Sequence, residues 1–386
     1  MEEASWGPRE VGRASPPPPA GSAWTARRVL VGLASERRGR GGLHAGFLLL
    51  AGGFLSTIVA AELGKLEAPQ VKLAEALVLP PIPPPKLRLP KRALKLEEVN
   101  KTREATRDVL VFTGVPLAAS GPMAKIMEGL SLIRGFEFIE AGVSNEEDDA
   151  EKQEVFEMLR ATIGDFSAVA ISGLPYHDLH SQVAGKDKFI FVSMVRDPVE
   201  RIISWYYTAR SPWFFIDQFK QNPADGMPDI DWALTDFETC MEEKETDCQW
   251  IPGTLDVYSG RPRQTSYFCN MNYDAHCKPF NGPYASQVAK KNVNQHFAVV
   301  GVVEDFEMTL EVLEKFIPRF FQGARAYYAE HKRQLDKAYR NWYKSPVADK
   351  YKAMVAKNLT EEIKFYEYCR MRLYRQYQAL QVHGLA

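Results

Sequence analysis

The apolar positions change rhythm along the chain, and the changes mark out its elements. Beyond residue 108, short apolar runs of strand length alternate with segments whose apolar residues recur every three to four positions. Residues 109–115 read as a strand, followed by a helix over 120–133 with Met123, Ile126, Met127 and Leu130 on one face. Residues 136–139 read as a second strand and 148–163 as an amphipathic helix with an acidic start. Further strands are predicted over 168–172, 189–195 and 298–303, the last leading into a helix over 306–316. Residues 231–243 read as helical, 250–283 as irregular and cysteine-bearing, and 347–380 as helical. In that last stretch Tyr366, Tyr368, Tyr374 and Tyr377 read as packing groups rather than as chemistry. The alternation predicts an α/β fold, a parallel sheet flanked by helices, with ligands bound beyond the carboxyl ends of the strands.

The N-terminal part has no such rhythm. Residues 1–42 are rich in Gly, Pro and Arg and read as a disordered cytosolic tail. Residues 43–61 carry no Asp, Glu, Lys or Arg, close to the ~20 residues a membrane-spanning helix needs. A signal peptide is the rival reading, but the apolar run starts late and is long for one. A single N-terminal transmembrane signal anchor is therefore expected. Arginines precede it, and Glu62 and Glu67 follow, so the N-terminus is expected in the cytosol and the rest in the lumen. Residues 62–107, with the proline run at 79–85, read as an extended stem, leaving 108–386 as the lumenal domain.

Composition narrows the class. A net charge of −1 over 386 residues lacks the basic excess of a nucleic-acid binder, and no nucleic acid is expected as partner. Five cysteines fit a secretory route. Cys240, Cys248, Cys269 and Cys277 allow three pairings that sequence alone does not separate; the local pairs Cys240–Cys248 and Cys269–Cys277 are the expectation, with Cys369 left as a buried thiol. Zinc is the alternative, but none of the spacings is the short C-x₂₋₄-C type. Asn100 and Asn358 begin N-x-[ST] sequons.

The most informative stretch is 189–207, FIFVSMVRDPVERIISWYY. It reads as a buried strand, a sharp turn at Arg196-Asp197-Pro198, then a helix. Asp197 suits the N-cap, Pro198 the first helical position, and Glu200 completes a capping-box pattern. Arg196 thus stands where a strand ends and a helix begins, beside N–H groups that favour an anion, and Ser204 lies two turns along. The rival reading is a capped core helix with a surface arginine.

The spacing R-D-P-x-x-R-x-x-S resembles the sulfotransferase segment that grips the ribose phosphate of phosphoadenosine phosphosulfate (PAPS), with Arg196 and Ser204 at the two contact positions. The runs at 202–207 (IISWYY), 237–240 (FETC), 264–269 (QTSYFC), 299–306 (VVGVVEDF), 318–324 (PRFFQGA) and 362–369 (EIKFYEYC) extend the likeness. Together they resemble the heparan sulfate and uronyl 2-O-sulfotransferases, nearest to the arthropod pipe branch, over about 109–378. The resemblance implies a P-loop-like sulfotransferase fold in a single-pass type II Golgi membrane protein. It also implies PAPS as sulfate donor, no metal, a glycosaminoglycan acceptor and a homotrimer. The implied reaction moves a sulfuryl group to the 2-hydroxyl of a uronic acid.

That reaction needs donors for the departing phosphate and a base for the attacking hydroxyl. The family supplies a lysine in the loop after the first strand and a histidine just upstream of the R-D-P strand. Here those positions fall on Leu117 and Gly173, and the arginine preceding V-P in the heparan enzymes falls on Gly114. Backbone amides around Leu117, Ala118, Ala119, Ser120 and Gly121, with the Ser120 hydroxyl, remain as a phosphate cradle. His177 is the substitute base the sequence offers, with His180 three residues beyond; a surface histidine is the alternative. Lys125 reads as a solvated helix residue, and Lys332, Arg333, Lys337 and Arg340 form a basic run that either meets substrate or faces solvent. Two readings follow: a working 2-O-sulfotransferase, or a sulfotransferase-fold protein that binds nucleotide or glycan without turnover. A P-loop kinase is disfavoured because no G-x-x-x-x-G-K-[ST] run exists.

Overall fold

In a computed structural model, the structure describes residues 95–141, 149–174, 180, 183–221, 223, 228–249, 263–269 and 274–385. The expected tail and anchor, and all of the stem before residue 95, lie outside them. Among the described residues no helix is long and apolar enough to cross a membrane.

Five parallel strands form one sheet: β1 (Val109–Thr113), β2 (Glu137–Glu140), β3 (Val169–Ser172), β4 (Ile190–Val195) and β5 (Phe297–Val302), in the order β2-β3-β1-β4-β5. Every residue of β1, β3, β4 and β5 is buried, as a sheet covered on both faces requires. The predicted parallel sheet is present, with strand ends shifted by one or two residues. After β1 the chain passes to β2 on one side, and after β3 it crosses to β4 on the other. The crevice beside the carboxyl end of β1 is therefore the topological switch point where ligands bind in such sheets.

The helices follow in chain order as α1 (Leu96–Val99), α2 (Ser120–Arg134), α3 (Asp149–Asp165), α4 (Pro198–Ala209), α5 (Pro212–Gln221), α6 (Ile230–Leu234) and α7 (Phe237–Glu243). Next come α8 (Gln264–Cys269), α9 (Pro283–His296), α10 (Phe306–Phe316), α11 (Pro318–Phe321), α12 (Ala324–Tyr339), α13 (Asp349–Lys357) and α14 (Thr360–Val382). The core of α2 is the predicted face, with Met123, Ile126, Met127 and Leu130 buried. Tyr366, Tyr374 and Tyr377 of α14 are buried, as packing groups should be.

Several expectations are corrected. The helix expected over 231–243 is two, α6 and α7, because the Asp236 side chain accepts from Thr239 N and starts a new helix. The stretch expected to be irregular contains α8. The C-terminal helix is broken at Asn358, and α14 begins where Asn281 Oδ1 accepts from Glu361 N at 2.7 Å, a cap supplied from a distant loop. Residues 95–107, read as the end of the stem, carry α1 and bond to the domain. Gln376 Nε2 donates to Val99 O (2.9 Å), Thr102 Oγ1 to Phe316 O (3.2 Å), and Lys188 N to Thr106 Oγ1 (2.9 Å).

Cys240–Cys248 and Cys269–Cys277 are disulfides with Cα separations of 6.1 and 5.9 Å, and Cys369 is a buried thiol. The pairing is the local one. Of the sequons, Asn100 Oδ1 accepts from its own Thr102 hydroxyl at 2.7 Å, while the Thr360 hydroxyl accepts from Asn281 Nδ2 at 3.0 Å.

Candidate functional site

Two corners meet at the carboxyl ends of the adjacent strands β1 and β4. Ser193 Oγ donates to Thr113 O at 2.6 Å and ties the strand ends together. After β1 the chain turns through Gly114–Ala119, with Leu117 (φ 64°) and Ala119 (φ 58°) both left-handed, a conformation side-chain-bearing residues adopt at a cost. Ala119 caps α2 without a side-chain acceptor, so the first-turn N–H groups of that helix have no side-chain partner there. Part of the expected cradle is already occupied: Ser120 Oγ donates to Val115 O (2.7 Å), as does Ala118 N (3.1 Å). Gly121 has a packing reason. A Cβ there would lie 2.2 Å from the Tyr339 ring.

After β4, Asp197 Oδ1 accepts from Val199 N (2.9 Å) and Glu200 N (3.0 Å), the cap its sequence position predicts. The capping box is completed differently. Asp197 N donates to Glu304 Oε1 (3.0 Å), just beyond β5, and the Glu200 carboxylate turns elsewhere. Arg196 is fixed by its own backbone: its N–H donates to Gln264 Oε1 and its carbonyl accepts from Gln264 Nε2, each at 2.7 Å. Its guanidinium donates to Leu117 O (3.1 Å), and Arg201 Nε to Pro116 O (2.9 Å), so two arginines of the second corner hold two carbonyls of the first. Burial pulls the Arg196 pKa down, against the opposing pull of Glu304, Glu200 and Asp197.

Ser204 is buried on the same helix, and a cation the sequence reading missed reaches it. Lys344 Nζ donates to Ser204 Oγ (3.2 Å) and to Glu200 Oε2 (2.6 Å), while Lys352 pairs with the other Glu200 oxygen at 2.7 Å. Asn341 Nδ2 donates to Thr208 Oγ1 (3.1 Å). The 339–344 segment is thus laid along α4 and beside Gly121. Its signal was faint: one lysine after a Trp-Tyr pair, with a richer basic run just before it. That run lies on α12 and its C-cap. Lys332, Arg333, Lys337 and Arg340 are exposed, Lys332 pairing with Glu307 (3.5 Å) and Arg340 stacking on Trp342 (4.8 Å).

Burial alone pushes the Glu200 carboxyl up, but Lys344 and Lys352 outweigh it and bring it down to about 2. A carboxylate whose pKa falls on folding adds stability above its unfolded pKa and loses it as pH drops through the folded value. We therefore expect Glu200→Gln to flatten the acid limb of the thermal-stability profile between about pH 4.5 and 2. Melting curves of both proteins across that window check it. Parallel limbs would mean the two lysines do not hold Glu200 in solution.

Among the described residues, the other sequence-predicted groups are not brought here. Lys125 Nζ pairs with Glu128 (2.6 Å) on the exposed face of α2. His177 lies outside the described residues. His180 meets His296 edge to face (centroids 4.8 Å), the residue preceding β5, and so belongs to the amino ends of the strands, opposite the site. Gly173 closes β3 with φ 98°, and a Cβ there would stand 2.1 Å from Ala141 O. A side chain at Gly114 would crowd Ser120 Oγ at 3.1 Å.

One cation, a second one bonded to a buried hydroxyl, and an uncapped helix start converge at the switch point of a parallel sheet. That arrangement suits a ligand with more than one anionic group. The Uronyl 2-sulfotransferase homolog pip of Drosophila melanogaster is 34% identical over 301 residues, 75% of this chain and 57% of that protein. The Uronyl 2-sulfotransferase of Mus musculus is 25% identical over 274 residues, 68% of this chain and 61% of its own length. The Heparan sulfate 2-O-sulfotransferase 1 of Homo sapiens is 30% identical over 148 residues, 38% of this chain and 37% of that protein. The chain thus spans about three fifths or less of the curated relatives it matches. The corner at Arg196, the loop after β1 and the helices that carry Gln264 and Lys344 all fall within residues 101–369, the part that matches the Sulfotransferase family; the chain belongs to that family.

Proposed function

We propose that this chain binds PAPS and transfers its sulfuryl group to the 2-hydroxyl of a uronic acid in heparan sulfate or a related glycan. In that reaction the sulfur–oxygen bond to the nucleotide phosphate breaks, a bond to the acceptor oxygen forms, and the hydroxyl proton passes to a base. Adenosine 3′,5′-bisphosphate (PAP) leaves. The observation that carries the reading is the anion corner: Arg196, Ser204 and Lys344 fit the ribose-linked phosphate. The uncapped start of α2 and the left-handed loop before it suit the phosphosulfate end, with backbone dipoles in place of the lysine. The two disulfides support a lumenal domain behind a signal anchor at 43–61, in the Golgi membrane.

A second reading has its own observation. Leu117 has no charge to offer, and Gly173 has no room for a base. Loss of one positioned donor costs roughly 100- to 1,000-fold in rate, and loss of the base roughly 100- to 10,000-fold. A sulfotransferase fold that binds nucleotide or glycan without turnover is the alternative. The full chain with labelled PAPS and desulfated heparan or chondroitin separates the two, with PAP titrated by calorimetry alongside. Transfer above a heat-killed control establishes the enzyme. PAP binding without transfer establishes the alternative, and the absence of both binding and transfer overturns the nucleotide site altogether.

A further inference from the structure

We infer that Gln264 is the positioning residue of the Arg196 corner: its side-chain amide fixes the Arg196 peptide and thereby aims the guanidinium at the nucleotide phosphate. The inference rests on the nucleotide reading above. Gln264 is fully buried, and its amide makes a two-way bond with one residue, accepting from Arg196 N and donating to Arg196 O at 2.7 Å each. Such a pairing reproduces what a neighbouring strand would give, at the point where β4 ends and no ladder partner continues. It leaves the Arg196 side chain committed to one direction, toward the loop after β1.

The helix that carries Gln264 is itself held at several points. Cys269 at its last residue is bonded to Cys277, and Thr265 Oγ1 and N reach the fully buried Glu362 carboxylate of α14. A six-residue helix pinned in this way is a rigid mount for one amide. The Q-T-S-Y-F-C run therefore has a role in the site through its first side chain.

The test uses PAP binding to the full chain by calorimetry at pH 8 and pH 5.5, each variant read against wild type at the same pH. Gln264→Leu, which removes both bonds, is expected to bind about 10-fold more weakly at both pH values. Gln264→Glu keeps the acceptor but loses the donor while ionised, and burial raises its pKa. Its deficit should be about 10-fold at pH 8 and shrink to within about 3-fold at pH 5.5, where the protonated carboxyl again donates to Arg196 O. A merely structural role would lower the melting temperature without that pH-dependent recovery. If Gln264→Leu does not fold, Gln264→Glu alone carries the test. Wild-type affinity of Gln264→Glu at pH 8, or a deficit unchanged at pH 5.5, overturns the assignment. A wild-type chain that does not bind PAP overturns the nucleotide reading and this inference together.

Discussion

Arg196→Ala is expected to weaken PAP binding by about 100-fold while leaving the fold intact. A charge-assisted hydrogen bond is worth about 1.5–3 kcal/mol, which corresponds to roughly 10- to 150-fold in affinity. The upper half of that range is expected here because the guanidinium also holds Leu117 O, so its loss frees the loop after β1 as well. The fold should survive. Gln264 bonds the Arg196 backbone, not its side chain, and the Asp197 cap and the Glu304 contact do not involve the guanidinium. Arg196→Lys keeps a charge but not a fork, so it cannot serve the Leu117 carbonyl and a phosphate at once. It is expected to lie between wild type and alanine, about 10-fold down. Calorimetry with PAP, beside a thermal melt, checks both variants. An alanine variant within twofold of wild type at an unchanged melting temperature would remove Arg196 from the site.

The sequence made some of this site legible because some of it is local. A strand, an Asp-Pro turn and an amphipathic helix are written within twenty consecutive residues, and α4 starts where the capping signals say it does. The same holds for α2, whose apolar periodicity matches its buried face. What was not legible comes from distance along the chain. Glu304 takes the capping-box role from 107 residues beyond Asp197, Gln264 reaches Arg196 across 68, and Lys344 reaches Ser204 across 140. No periodicity or spacing rule carries such information. The missed helices have a physical cause as well. α12 shows a mostly polar surface, with only Ala324 and Leu335 buried, and sits on α2 through Tyr327 and Tyr339 at Gly129 and Gly121. A helix seated by aromatic rings on glycines leaves a weak apolar stripe to read.

Gly173 shows where reading by resemblance reaches its limit, and Gly173→His is expected to destabilise the chain by at least about 3 kcal/mol rather than to supply a base. Two costs combine. The residue sits at φ 98°, outside what a side-chain-bearing residue readily adopts. Its Cβ would also stand 2.1 Å from Ala141 O, a backbone atom that cannot swing aside, since Ala141 N donates to Ser172 O in the extension of the β2–β3 ladder. The penalty belongs to the Cβ, so Gly173→Ala should lose nearly as much, and a melting-temperature drop of about 10 °C is expected for both. Leu117→Lys differs. Leu117 already carries its left-handed φ, and lysine adds a charge beside the uncapped start of α2 without adding a branch at Cβ. Restoring the missing cation is therefore expected to be tolerated, whereas restoring the missing histidine is not. A Gly173→Ala protein that melts within about 2 °C of wild type would sink this account of the β3 end. If the loss is as large as expected, the chain beyond β3 is built around a glycine. Any base that serves this site must then come from another position.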